Sequence, residues 1–219
     1  MIITIDGPAA AGKGTLAASI SARYKFAYFD TGMVYRAVGL EMFLNNLDLN
    51  DEAAAVKIAQ NLTFTKMMKL SEHPEFRSQI GGRNASIVSA YPGVRTALLK
   101  MQQDFSVCPV FADGTPAEGA VYDGRDTGTV VCPNADVKFF ITASPEVRAD
   151  RRYKEFVAKG MDISYDEVLK DVKARDERDA NRAAAPMKPA ADAIIFDTSD
   201  LSIAEVIARA SEVIDEKIR

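Results

Sequence analysis

Residues 2–15 read Ile2-Ile3-Thr4-Ile5-Asp6-Gly7-Pro8-Ala9-Ala10-Ala11-Gly12-Lys13-Gly14-Thr15. Ile2 to Ile5 is a β-branched run that ends at an acid, the pattern of a short buried strand. Gly7 to Gly12 are small, turn-forming residues. From Lys13 to Tyr24, apolar Leu16, Ile20 and Tyr24 recur at the period of one helix face. A strand, a glycine-bounded loop and a helix with G-x-x-x-x-G-K spacing form an arrangement that wraps phosphate. Small residues let the backbone N–H groups turn toward the anion, and the helix N-terminus adds partial positive charge. Gly7, Pro8, Ala9, Ala10, Ala11, Gly12, Lys13, Gly14 and Thr15 are therefore candidate triphosphate contacts, with Lys13 aimed at the β- and γ-phosphates. Position 14 is glycine, so the hydroxyl comes one residue later, at Thr15. A magnesium ion is then expected to be held through waters. The loop implies a nucleoside triphosphate and leaves the acceptor unnamed.

Outward from this stretch the alternation continues. Phe26 to Phe29 reads as a second strand and Met33 to Asn46 as a helix. Strand, helix, strand, helix predicts a parallel α/β sheet. Asp51 to Gln60 reads as a short helix. Leu62 to Gly82 has weak periodicity and several turn residues, and is expected to hold little regular structure, or a small strand pair. Asn84 to Ala90 and Val94 to Phe105 read as helical pieces, with Pro92 at a helix start. Asp113-Gly114-Thr115-Pro116 is a turn that suits a hairpin tip. Ala120 to Asp123, Val137 to Thr142 and Ala193 to Phe196 complete five predicted strands. Ser144-Pro145-Glu146 opens a helix that Gly160 stops. Ser164 with Glu167 and Ser202 with Glu205 are capping-box pairs that open the last two helices, the first running to about Arg182.

The chain has 219 residues, 47% hydrophobic and 26% charged, ample for a substantial core and unlike a disordered composition. Its net charge of −4 excludes a global basic field for nucleic acid or a membrane surface. One histidine, His73, argues against a histidine-ligated metal site or a Ser–His–Asp triad, and reads as a loop residue. Two cysteines, Cys108 and Cys132, cannot build a disulfide framework. With no membrane-length apolar run and no basic leader, the expected compartment is the cytoplasm, and nothing calls for more than a monomer.

Charge collects where strands are expected to end, the side on which open α/β sheets bind ligands. Asp30-Thr31-Gly32-Met33-Val34-Tyr35-Arg36 follows the second strand, and Asp123-Gly124-Arg125-Asp126 follows the third. Arg175, Arg178 and Arg182 are spaced by three and four on a predicted helix, with Asp179 beside Arg175. Fixed guanidinium groups suit the meeting of an anionic acceptor with an anionic donor. The plainer reading is a solvated helix face with weak Arg–Asp pairs, and spacing alone does not choose between the two. The lack of a histidine base suits a phosphate acceptor, which is already ionised near neutral pH.

Together these segments resemble the bacterial cytidylate kinases, phosphate-loop nucleoside monophosphate kinases. The matching stretches are Ile5 to Pro8 with Gly12 to Thr15, Asp30-Thr31-Gly32 with Tyr35-Arg36, Ala85-Ser86 and Val94-Arg95. They continue through Asp123 to Val131, Arg175 to Arg182, Ala185-Pro186 and Pro189 to Asp192. The resemblance implies a five-stranded parallel sheet flanked by helices, with a monophosphate-binding insertion and a short lid. Its boundaries fall at 1–36 and 107–147 for core, 37–106 for the insertion, 148–174 for the lid and 175–219 for the last core segment. It implies ATP as donor, magnesium as cofactor, and CMP or dCMP as acceptor. Arg36, Arg125 and Arg182 match the ligands of the acceptor phosphate. Ser86, Arg95 and Asp126 match the cytosine readers, and Arg175 and Asp179 the ribose contacts. Thr31 and Tyr35 fall on the acceptor side, and Asp123 suits a metal-bound water. Arg148, Arg151 and Arg152 match the lid's basic stretch, some of which should reach the ATP phosphates.

Cytosine offers acceptors at O2 and N3 and a donor amine, which Arg95 and Asp126 complement. Uracil's O4 would face the Asp126 carboxylate unfavourably. The sequence also allows two other functions: a phosphate-loop kinase for another small acceptor, such as UMP, and a nucleotide-binding module without transfer. The insertion segment 62–82 is shorter than the family's usual form, and 107–119 carries extra residues.

Overall fold

In a computed structural model, which describes residues 1–218, five strands form one sheet in the order β2-β3-β1-β4-β5. They are β1 (Ile2–Asp6), β2 (Ala27–Asp30), β3 (Ala120–Gly124), β4 (Val137–Thr142) and β5 (Ile194–Asp197). Every pairing is parallel, with Ile5 opposite Asp123 on one side and Phe139 on the other. The apolar run of β1 places it at the centre of the sheet, and its side chains alternate between the two faces. Ile3 and Ile5 pack with α1 (Lys13–Tyr24) and α9 (Ile203–Ile218) through Leu16, Ile20 and Ile214. The other face carries Phe29 and Tyr122 under α2 (Gly32–Leu44), α3 (Glu52–Gln60), α4 (Phe64–Ser71), α5 (Gln79–Val88) and α6 (Pro92–Val107). These helices therefore share one continuous core with the sheet. A separate apolar cluster of Ala149, Phe156, Val168 and Val172 joins α7 (Pro145–Ala158) to α8 (Tyr165–Ala180).

Local chemistry sets the helix ends. Ser144 caps α7 by accepting from Val147 N at 3.3 Å, with Pro145 at the first position. Ser164 and Glu167 form both halves of a capping box on α8, and Ser202 with Glu205 exchanges the same bonds at α9. Gly160 follows α7 with φ 72°, a left-handed conformation that suits glycine.

The segment 62–82 corrects the sequence expectation. It holds α4, a 3₁₀ turn at Pro74–Arg77 and the first turn of α5, with no strand pair. Its turn residues are caps. Thr63 Oγ1 accepts from Lys66 N at 3.2 Å, His73 Nδ1 from Glu75 N at 3.2 Å and Ser78 Oγ from Gly81 N at 3.1 Å. Gly81 is a packing position, since a Cβ there would lie 2.2 Å from Glu75 O. Buried Met67 and Phe76 tie these short pieces to the core. In the segment 107–119 a single antiparallel bridge, Val110 to Pro116, closes the expected turn. Among the described residues no helix is long and apolar enough to cross a membrane.

Candidate active site

The carboxyl ends of all five strands, or the loops that follow them, open into a cavity of ≈ 710 Å³. Residues Ala9 to Thr15 form one wall. The loop approaches the sheet where only glycine fits, because a Cβ on Gly7 would lie 1.9 Å from Ile141 O. Gly12 turns into α1 with φ 95°. Lys13 is 5% exposed, donates to Pro8 O at 2.9 Å and lies 3.8 Å from Asp123 Oδ1. Burial first, then the neighbouring Arg125, pulls its ammonium down to about 8, against the opposing pull of Asp123. Burial raises the Asp123 carboxyl to about 6, while Lys13 draws it down.

The opposite wall is cationic. Arg36, Arg125, Arg152, Arg175 and Arg182 all line the cavity. Arg36 donates to Phe76 O at 2.8 Å, and Arg125 Nε to Asp179 Oδ2 at 2.9 Å. Arg175 Nε, and Nε and Nη2 of Arg182, are buried without a hydrogen-bond partner among the described residues. Burial, Arg125 and two further arginines bring Arg175 down to about 9. The guanidinium still carries its charge at neutral pH. Such a cluster repels itself and presents unspent donors, which suits an anion with several oxygens.

Beyond the arginines, Arg95 and Asp126 form a buried ion pair. Arg95 also donates to Ser89 O at 3.2 Å and lies over the Tyr35 ring at 5.3 Å. Asp126 precedes a π-helical turn at Thr127–Val131, and Asp6 holds that turn from below. Thr127 N, Thr127 Oγ1 and Gly128 N donate to the Asp6 carboxylate at 2.9, 2.8 and 2.8 Å. Burial raises the Asp6 carboxyl, and those three bonds oppose the shift.

Of the residues singled out in sequence, Lys13, Thr31, Tyr35, Arg36, Asp123, Arg125, Asp126, Arg151, Arg152, Arg175, Asp179 and Arg182 line this cavity. Thr31 Oγ1 donates to Asp123 O at 2.8 Å, and Arg151 is bonded to Thr198. Arg95 lines an adjoining hollow of ≈ 170 Å³ together with Tyr35 and Asp126. Ser86, Gly7, Pro8 and Arg148 are not on the main cavity wall. Ser86 accepts from Arg178 Nε at 3.4 Å. Arg148 is 3% exposed and bound to Ala9 O, Ala143 O and Asp176, so its guanidinium ties α7 to α8 and to the phosphate loop. The three late arginines also divide: α8 ends at Ala180, Arg182 lies beyond it, and Arg178 turns toward α5. Sequence reasoning missed Ile141, Thr198, Leu201, Ile203 and Val206 in the cavity lining. The rule of strand carboxyl ends, applied to the loop after β5, would have found Thr198.

Among the described residues no three His, Cys, Asp or Glu side chains gather as a metal cluster. Asp123 and the Thr15 hydroxyl at the loop's end offer a partial set of oxygens. That suits magnesium, which keeps several waters and is bound mainly by substrate phosphates.

A family model described as cytidylate kinase matches residues 3–216. The cytidylate kinase of Azorhizobium caulinodans is 48% identical over 215 residues, covering 98% of each chain. That of Xanthobacter autotrophicus is 47% identical over 218 residues, covering 99% of this chain and 98% of the other. A crystal structure of an uncharacterized protein from Eubacterium ventriosum shares the fold alone, with a TM-score of 0.51, 12% identity and 98% coverage of both chains. A match that runs through the phosphate loop, the arginine wall and the Arg95–Asp126 pair leaves one conclusion: the chain belongs to the cytidylate kinase family.

Proposed function

We propose that the protein transfers the γ-phosphoryl group of ATP to CMP or dCMP, giving ADP and CDP or dCDP. The observation that carries this reading is one cavity in which a phosphate loop faces a wall of arginines with unpaired N–H groups, and whose lining includes Asp126 of a buried Arg–Asp pair. The loop amides and Lys13 hold the donor's β- and γ-phosphates. Leu201, Ile203 and Val206 give the donor's base an apolar seat. Arg36, Arg125 and Arg182 hold the acceptor phosphate, and Arg175 with Asp179 meets its ribose. Arg95 donates to O2 and N3 of cytosine, and Asp126 accepts from the amine.

An oxygen of the acceptor phosphate, already ionised, bonds to the γ-phosphorus as the bond to the bridging oxygen breaks. No general base is needed. Lys13 and the arginines favour the charge spread over the transferring group. Magnesium would be held by Asp123 and Thr15 through waters, and when bound it neutralises charge on the β- and γ-oxygens. Arg151 and Arg152 on α7 approach the donor as α7 and α8 close. The proposed setting is a monomer in the cytoplasm.

A base for a hydroxyl acceptor finds less support, because the buried carboxylates near Lys13 are committed to cations or amides. Asp126→Asn tests the assignment. It should narrow the CMP-over-UMP ratio of kcat/KM by about tenfold or more, the worth of one charged hydrogen bond. An unchanged ratio removes Asp126 from base reading.

A further inference from the structure

The side chains of β1 alternate, so Thr4 and Asp6 face the turn at Thr127–Val131 while Ile3 and Ile5 face the opposite core. Asp6 is 4% exposed, and its three bonds run to the backbone and hydroxyl of residues directly after Asp126. The turn is tight around it. A Cβ on Gly128 would lie 2.8 Å from Thr4 Oγ1, and one on Gly124 would lie 2.5 Å from Thr127 Cγ2. Asp126 is thus fixed from behind through Asp6 and in front through Arg95. Gly7, which opens the phosphate loop, follows Asp6 directly.

We infer that Asp6 is a positioning residue for base selection, joining the strand that carries the donor loop to the turn that aims Asp126 at the acceptor's base. It touches neither substrate. Its carboxylate sets where the Asp126 side chain begins, and so how well Asp126 meets an exocyclic amine. The inference rests on the CMP reading above.

Steady-state kinetics with Mg-ATP and varied CMP or UMP test it on Asp6→Asn, Thr127→Val and Thr127→Ser. In Asp6→Asn one acceptor oxygen survives, and an amide donor confronts Gly128 N. The KM for CMP should rise about tenfold and the CMP-over-UMP preference shrink by a similar factor, while the KM for ATP stays within about twofold. Thr127→Val should move the same two quantities in the same direction by less, and Thr127→Ser, which keeps the hydroxyl, should restore them. If Asp6→Asn does not fold, the Thr127 pair decides. A lowered melting temperature with an unchanged CMP-to-UMP ratio, or KM values for ATP and CMP rising in step, overturns the role and leaves Asp6 structural. The wild type reports separately on the acceptor: a wild type with no preference for CMP contradicts the CMP reading and, with it, this one.

Discussion

At the scale of single residues, the site crowds like charges together at a cost. Burial first, and then neighbouring arginines, disfavour the charged forms of Lys13, Arg36, Arg152 and Arg175, and an anionic ligand would relieve that repulsion. Arg175→Met should therefore raise the melting temperature of the free protein by a few degrees, about 1 kcal/mol, while raising the KM for CMP. A variant that melts lower and binds CMP normally contradicts this. Lys13 gives a second test. Its pKa is lowered, to about 8, so the free enzyme loses the ammonium as pH rises through that value. The kcat/KM for ATP should fall above about pH 8, whereas kcat should hold to higher pH because bound phosphates keep the proton in place. The pH profile of both parameters checks it, and a kcat/KM that is flat to about pH 10 contradicts it. Lys13 and the loop were legible in sequence because their chemistry is local. Asp6 was not, since its partners lie more than a hundred residues away.

At the scale of elements, what the sequence showed depended on period and caps. β1, α1 and the serine-capped helices α7 and α8 follow from apolar spacing and terminal hydrogen bonds. Residues 62–82 defeated the same reasoning, because His73-Pro74 and Gly81-Gly82 look like breaks when read along the chain. In space they are a cap, a helix start and, at Gly81, one close-contact glycine inside α5. Glycine contacts of this kind also join α2 to α5. A Cβ on Gly39 would lie 2.9 Å from the backbone carbon of Asn84. Gly39→Ala should cost about 1–3 kcal/mol by overpacking, read from denaturant unfolding. A neutral outcome would mean that the two helices slide apart freely. The helical spacing of Arg175, Arg178 and Arg182 misled in a different way. It predicted a shared face, but α8 ends before Arg182.

At the scale of the whole molecule, the parallel sheet brings the ends of its five strands to one crevice, and the family's activity follows from what stands around it. The α7–α8 pair has its own small apolar cluster and is tied to the phosphate loop by Arg148. That construction suits closure as a unit about the Arg148 contact, which would exclude water only when both substrates are in place. Hydrolysis of ATP without an acceptor should therefore be slow. The apolar part of the cavity lining, Leu201, Ile203 and Val206, escaped the sequence reading because scattered apolar residues carry no pattern until the fold assembles them.

The most direct measurement is ADP release from Mg-ATP with CMP, dCMP, UMP, AMP and no acceptor, side by side. The predicted result is strong turnover with CMP and dCMP, weak turnover with UMP, and little with AMP or without acceptor. Equal release under all five conditions would contradict phosphoryl transfer to a cytidine monophosphate and leave only the phosphate loop's affinity for nucleotide.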